Sequence, residues 1–136
     1  MRRIGAMIAA CAALAGCAEE DTMPEPSDGR AIYMQNCAVC HGADARGSGA
    51  VAARLDPAPA DLTQIAARNG GTMPRAEVMS MIDGYARGTV DHGMPAFGGL
   101  LEGELVPFDS GDGRQTPTPR KLVALLEYLE SVQVTE

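Results

Sequence analysis

Cys37-Ala38-Val39-Cys40-His41 concentrates more reactive groups than any other stretch of this chain: two thiols three residues apart, followed at once by an imidazole. Thiols at that spacing match the reach of the two vinyl groups of haem, and the next residue places an imidazole under the iron. Other uses of paired cysteines fit poorly. A thioredoxin-like redox pair wants a βαβ context, which the sequence does not offer. A zinc site wants four ligands, and beyond the pair only His41 and His92 remain. A Cys37–Cys40 disulfide would close a very small loop and staple little of the chain.

The elements that must position this motif are helical. Asp28 is a good N-cap, and a first helix is expected from there through Ile32, Tyr33 and Asn36 into Cys37. Residues 42–60, rich in Gly, Ala and Pro, read as an ordered loop. Asp61 to Arg68 reads as a short helix stopped by Asn69-Gly70-Gly71. A third helix is expected to begin at Pro74, whose ring suits the first helical position, with Val78, Met81, Ile82 and Tyr85 at helical spacing, ending at Gly88. Asp91-His92-Gly93-Met94-Pro95 makes a turn, and residues 102–117 a polar loop. The last helix takes Thr118 as cap and Pro119 at its first position, with Leu122, Leu125, Leu126 and Leu129 on its buried stripe. No segment reads as a strand, so the expectation is one all-α domain with long loops and no internal repeat.

Carried by the Cys-x-x-Cys-His motif, by Gly29 with Tyr33 in the first helix and by Leu125 with Tyr128 in the last, the chain resembles the class I cytochrome c family, in particular its exported bacterial monohaem members. The resemblance spans roughly residues 28 to 134. It implies a fold in which the terminal helices pack against each other around one covalent haem c, and Gly29 would let those helices approach closely. It implies a late methionine as the iron's sixth ligand, and Gly93-Met94-Pro95 fits that place; a thioether favours ferrous iron and poises the potential high. Met73 is a rival, but it is engaged in starting a helix, while Met79 and Met81 read as core and His92 as a surface residue. Pro57-Ala58-Pro59-Ala60-Asp61-Leu62 resembles the family segment in which a proline carbonyl accepts the proximal histidine's ring N–H and a leucine packs on the haem. By its offset to Leu62, Pro59 is favoured over Pro57.

Two further features do not hold up. Gly42, Gly47 and Gly49 lack the Lys-Ser or Lys-Thr of a phosphate loop. Asp109-Ser110-Gly111-Asp112-Gly113 lacks the alternating ligands and closing glutamate of a calcium loop.

Ahead of the domain, Arg2 and Arg3 precede an apolar run from Ile4 to Leu14 and then Ala15-Gly16-Cys17, the three regions of an export signal. Its ending resembles the bacterial lipoprotein signal, which implies cleavage after residue 16, acylation of Cys17, and a lipid anchor to an outer or inner bacterial membrane. A conventional cut near Ala18 would instead give a soluble periplasmic protein. Residues 17–27, acidic and carrying Pro24 and Pro26, read as a flexible tether, and 28–136 as the domain. Loss of Arg2 and Arg3 leaves nine basic against 18 acidic residues, moving the formal charge from −7 to −9. That field excludes nucleic acid and favours partners with basic patches. With no Trp, two Phe and three Tyr, the core is poor in aromatics, a gap that a large apolar cofactor fills.

The resemblance implies a single-electron carrier rather than an enzyme. Its expected partners are a quinol–cytochrome c reductase, a periplasmic dehydrogenase or a terminal oxidase. The alternatives are a fixed electron-transfer subunit of a larger complex, and a haem sensor or enzyme with a displaceable sixth ligand.

Overall fold

The computed structural model describes residues 23–85 and 93–134; the expected export signal with Cys17, and His92, lie outside the described residues. Two long helices dominate. Helix α1, Pro26–Asn36, starts two residues before Asp28, because Glu25 is the N-cap and Asp28 accepts its backbone N–H at 3.0 Å. The carboxylate sits in the first turn, where it also complements the helix dipole. Helix α6, Arg120–Ser131, buries Leu122, Val123, Ala124, Leu125, Leu126, Tyr128 and Leu129. Each such leucine stabilises the fold by about 1.5–3 kcal/mol relative to exposure.

These helices meet at a glycine. Gly29 faces the Ala124 backbone so closely that a Cβ would fall onto that carbonyl. Beside it, the Tyr33 and Tyr128 rings lie 5.1 Å apart at 48°, a tilted pair of the kind aromatic quadrupoles favour. Tyr33 is fully buried, and its hydroxyl donates to the Gly42 carbonyl at 2.7 Å. Burial pushes the phenol pKa well above its ordinary range.

Between the long helices lie α2 (Ala38–His41), a 3₁₀ turn at Ala52–Arg54, a 3₁₀ turn at Leu62–Gln64 running into α3 (Ile65–Arg68), α4 (Arg75–Asp83) and α5 (Gly98–Leu101). Asp61 caps the Leu62 turn by accepting the Thr63 N–H at 2.9 Å, and Gly70 and Gly71 reverse the chain at positive φ, as their sequence predicts. Helix α4 stops earlier than expected. Gly84 takes a left-handed conformation at φ 108° and its N–H closes on Ser80, so Tyr85 lies beyond the helix and is 89 % exposed.

The all-α expectation is corrected by an antiparallel ribbon inside the 102–117 segment. Strands β1 (Leu105–Phe108) and β2 (Thr116–Pro119) pair in register, with Val106 opposite Thr118 and Pro107 opposite Pro117. Every proline falls in one parity of this ladder, the same parity as Leu105 opposite Pro119. The other parity carries the hydrogen bonds, as the Arg120 N–H to the Glu104 carbonyl at 2.8 Å shows by extending it, so no proline N–H is missed. Val106 and Phe108 point into the core and Leu105 outward. Thr118 is therefore a strand residue with its hydroxyl bonded to the Thr116 carbonyl, not a helix cap, and Pro119 precedes α6.

Candidate haem-binding site

The Cys-x-x-Cys-His motif straddles a break between helices. Cys37 ends α1, its N–H still bonded to Tyr33, and α2 carries Cys40 and His41. A four-residue helix leaves its last carbonyls without partners. Here the following loop turns back beneath them: Val51, Gly49 and Gly47 donate their N–H groups to Val39, Cys40 and His41. Glycine is required there, because a Cβ on Gly49 would collide with the Val39 and Cys40 backbone, and Gly47 sits at φ 80°. The loop thus locks the motif's backbone from below.

His41 is oriented by one hydrogen bond, from Nδ1 to the Ala60 carbonyl at 3.0 Å. This corrects the choice of Pro59: the acceptor is one residue further along, and the Pro59 carbonyl instead packs against Gly47. A carbonyl only accepts, so Nδ1 carries the proton and Nε2 of the neutral ring keeps a free lone pair. That is the tautomer a metal-binding imidazole needs.

An apolar cleft of about 330 Å³ opens beside this imidazole. Tyr33, Cys37 and His41 line it from the α1–α2 corner, Leu62 and Ile65 from the loop and α3, Val78, Met81 and Ile82 from α4, and Leu125 and Leu129 from α6. Met94 reaches the same cleft, as does Met81, which corrects its reading as a core residue, whereas Met73 and Met79 do not line it. Arg68, Asn69 and Glu77, all exposed, supply its polar part. Cys40 is half-buried on α2, and His92 lies outside the described residues.

The donor set separates the uses of the thiols. Burial pushes the Cys37 thiol up to about 11, and nearby Cys40 adds to the effect. A thiol held neutral in this way is a poor redox nucleophile, since that role requires the thiolate. Among the described residues no group of three or more His, Cys, Asp or Glu is arranged to hold a metal ion. The residues present do fit haem: paired thiols, an imidazole with free Nε2, a thioether, and a hydrocarbon wall in the size range of ligand pockets.

The sequence reading missed the Ala60 carbonyl, because the backbone of any residue can accept and only the loop's path decides which one does. It also missed the wall-forming role of Leu125 and Leu129, whose helical spacing showed that they were buried but not against what, and it did not single out Ile65. Comparison with curated proteins and with solved structures gives no match. The family model Cytochrome c matches residues 26–133, from the first residue of α1 to just past the end of α6. With the thiol pair, oriented imidazole and apolar cleft inside that span, the chain belongs to the cytochrome c family, whose haem c is covalently bound and serves electron transfer.

Proposed function

We propose that this protein is a periplasmic single-electron carrier holding one haem c through Cys37 and Cys40, with His41 and Met94 as the axial ligands of its iron. The observation that carries the reading is the His41–Ala60 bond, which fixes a free Nε2 in the cleft that Met94 also lines. Bound there, the haem supplies an iron that changes between ferric and ferrous states. The chain's own residues keep that change cheap in reorganisation. The loop beneath α2 and the Ala60 carbonyl hold the imidazole still, and the walls from α4 and α6 exclude water. Leu62 lines the cleft directly after the His41-orienting segment and would pack against a haem bound there.

In this reading the lipoprotein-type signal is cleaved before Cys17, which anchors the domain to a bacterial membrane by its acyl chains. The acidic surface docks basic patches on a quinol–cytochrome c reductase, a periplasmic dehydrogenase or a terminal oxidase. Mass spectrometry of the mature terminus tests the anchor; an unmodified terminus beyond residue 17 refutes it.

The ligand set is tested by the optical spectrum of the ferric protein made with a c-type maturation system. A weak far-red band of an iron–methionine bond supports the His/Met pair. Its absence with ready carbon monoxide binding to the ferrous form means an open iron and a sensor or enzyme. Its absence without such binding points to His92.

A further inference from the structure

Gln133 follows α6 by two residues and stands far in sequence from the haem motif, yet its side chain grips the segment that orients His41. Its Nε2 donates to the Leu62 carbonyl at 2.8 Å and to the Leu129 carbonyl at 2.7 Å, and its Oε1 accepts the Ala66 N–H at 2.9 Å. Two acceptors and one donor fix which way the amide points, and all its hydrogens are used. The neighbouring Val134 N–H adds a bond to the Thr63 carbonyl at 3.0 Å.

The segment needs such a grip. Residues 55–61 have no helix or strand of their own, so the Ala60 carbonyl is placed only by what holds its neighbours. On one side the Leu62 N–H bonds to the Ala45 carbonyl at 2.7 Å, and Ala45 is fully buried. On the other side the Leu62 carbonyl is held by Gln133. The Leu62 peptide is thus pinned at both ends, two residues from the Ala60 carbonyl.

We infer that Gln133 is a positioning residue for the iron's proximal ligand, acting through the Leu62 peptide and the Ala60 carbonyl on His41 Nδ1–H; this rests on His41 being that ligand. A firm bond at Nδ1 makes the imidazole a stronger donor and favours ferric iron. Loosening it weakens the donation and shifts the equilibrium toward ferrous.

The test compares the haem-loaded wild type with Gln133→Leu, which keeps bulk and removes all three bonds, and with Ser131→Ala. The serine variant loses the hydroxyl's 2.7 Å bond to the Tyr128 carbonyl at the same helix end without touching residues 60–66. Two quantities are read: exchange of the His41 Nδ1–H by nitrogen-15 NMR, and the midpoint potential. Gln133→Leu is expected to speed that exchange at least tenfold over Ser131→Ala. It is expected to favour the ferrous state by roughly twofold to tenfold, at most about 59 mV for one electron. Equal exchange and equal potential in the two variants overturn the inference. If Gln133→Leu does not accumulate, Gln133→Glu, which keeps only the acceptor for the Ala66 N–H, is measured by the same criteria. A wild type with no iron-shifted His41 signal sinks the ligand assignment instead, which separates the two failures.

Discussion

Gly29→Ala is the sharpest test of how the terminal helices meet. In an isolated helix interior the change would stabilise by roughly 0.8–1 kcal/mol, the usual difference in propensity. Here the added methyl meets backbone: it lands on the Ala124 carbonyl, and Tyr128 Cβ stands 2.8 Å away. A side chain could swing aside, but a helix carbonyl cannot, so α1 and α6 must separate by about 1 Å or more. A gap of that size forfeits a quarter to a half of each contact's dispersion energy. The contacts concerned include the Tyr33–Tyr128 pair and the Leu125 wall of the cleft. Overpacking of this kind costs about 1–3 kcal/mol and occasionally more; with rigid backbone on one side we place it near the top, for a net loss of about 2 kcal/mol. In a domain of this size that lowers the melting temperature by roughly 9 °C. Thermal and guanidinium unfolding of the haem-loaded protein would measure it, with Gly99→Ala as the control, since a Cβ there meets nothing within 4 Å. A Gly29→Ala protein as stable as wild type would refute the close-packed crossing.

Met94→Ala should leave the haem attached, lower the midpoint potential and admit carbon monoxide to the ferrous iron; an unchanged potential in redox titration would move the sixth ligand elsewhere. Tyr33→Phe removes the buried bond to the Gly42 carbonyl and should cost about 1 kcal/mol or somewhat more in chemical denaturation. Because folding raises the Tyr33 pKa from its ordinary 10.0, the folded state holds a proton that the unfolded state loses above pH 10. That contribution is fully present below pH 10 and declines as pH rises further, by at most about 1.36 kcal/mol per pH unit. The Phe variant should show a shallower alkaline loss of stability. Arg75 pairs with Glu130 through Nε at 2.7 Å and through its second nitrogen at 2.9 Å, while its guanidinium lies 5.5 Å from the Phe108 ring centroid. Arg75→Lys should therefore lose about 0.5–1 kcal/mol, less in high salt, by urea unfolding at two ionic strengths.

What could be read from the chain was whatever rests on a local pattern. The thiol–thiol–imidazole run, the Gly70-Gly71 reversal and the leucine stripe of α6 each announce themselves within a few residues. What could not be read depended on partners distant in sequence. The ribbon was hidden because Pro107, Pro117 and Pro119 argue against a strand unless their places in the ladder are known, and only the pairing of β1 with β2 puts them all where no bond is needed. The end of α4 was misplaced because Gly84 and Gly88 are equally good stops in sequence, and Gly84 comes first. The choice of Pro59 failed for the same reason, since the loop's register against His41 is set by the Leu62–Ala45 and Leu62–Gln133 bonds.

Helix α6 joins these observations. Ala124 and Tyr128 face α1, Leu125 and Leu129 face the cleft, and just past its end Gln133 reaches the His41-orienting segment. Since α1 ends at Cys37, α6 adjoins the first thiol of the motif through α1, the cleft through Leu125 and Leu129, and the segment beside His41 through Gln133. The Gly29→Ala and Gln133→Leu perturbations strike different parts of this arrangement. The first should lower stability with little change in potential, because the Ala60 bond is untouched, and the second should shift potential more than stability. A potential shift in Gly29→Ala as large as that in Gln133→Leu would mean that α6 transmits strain as one rigid body, rather than through the Leu62 peptide.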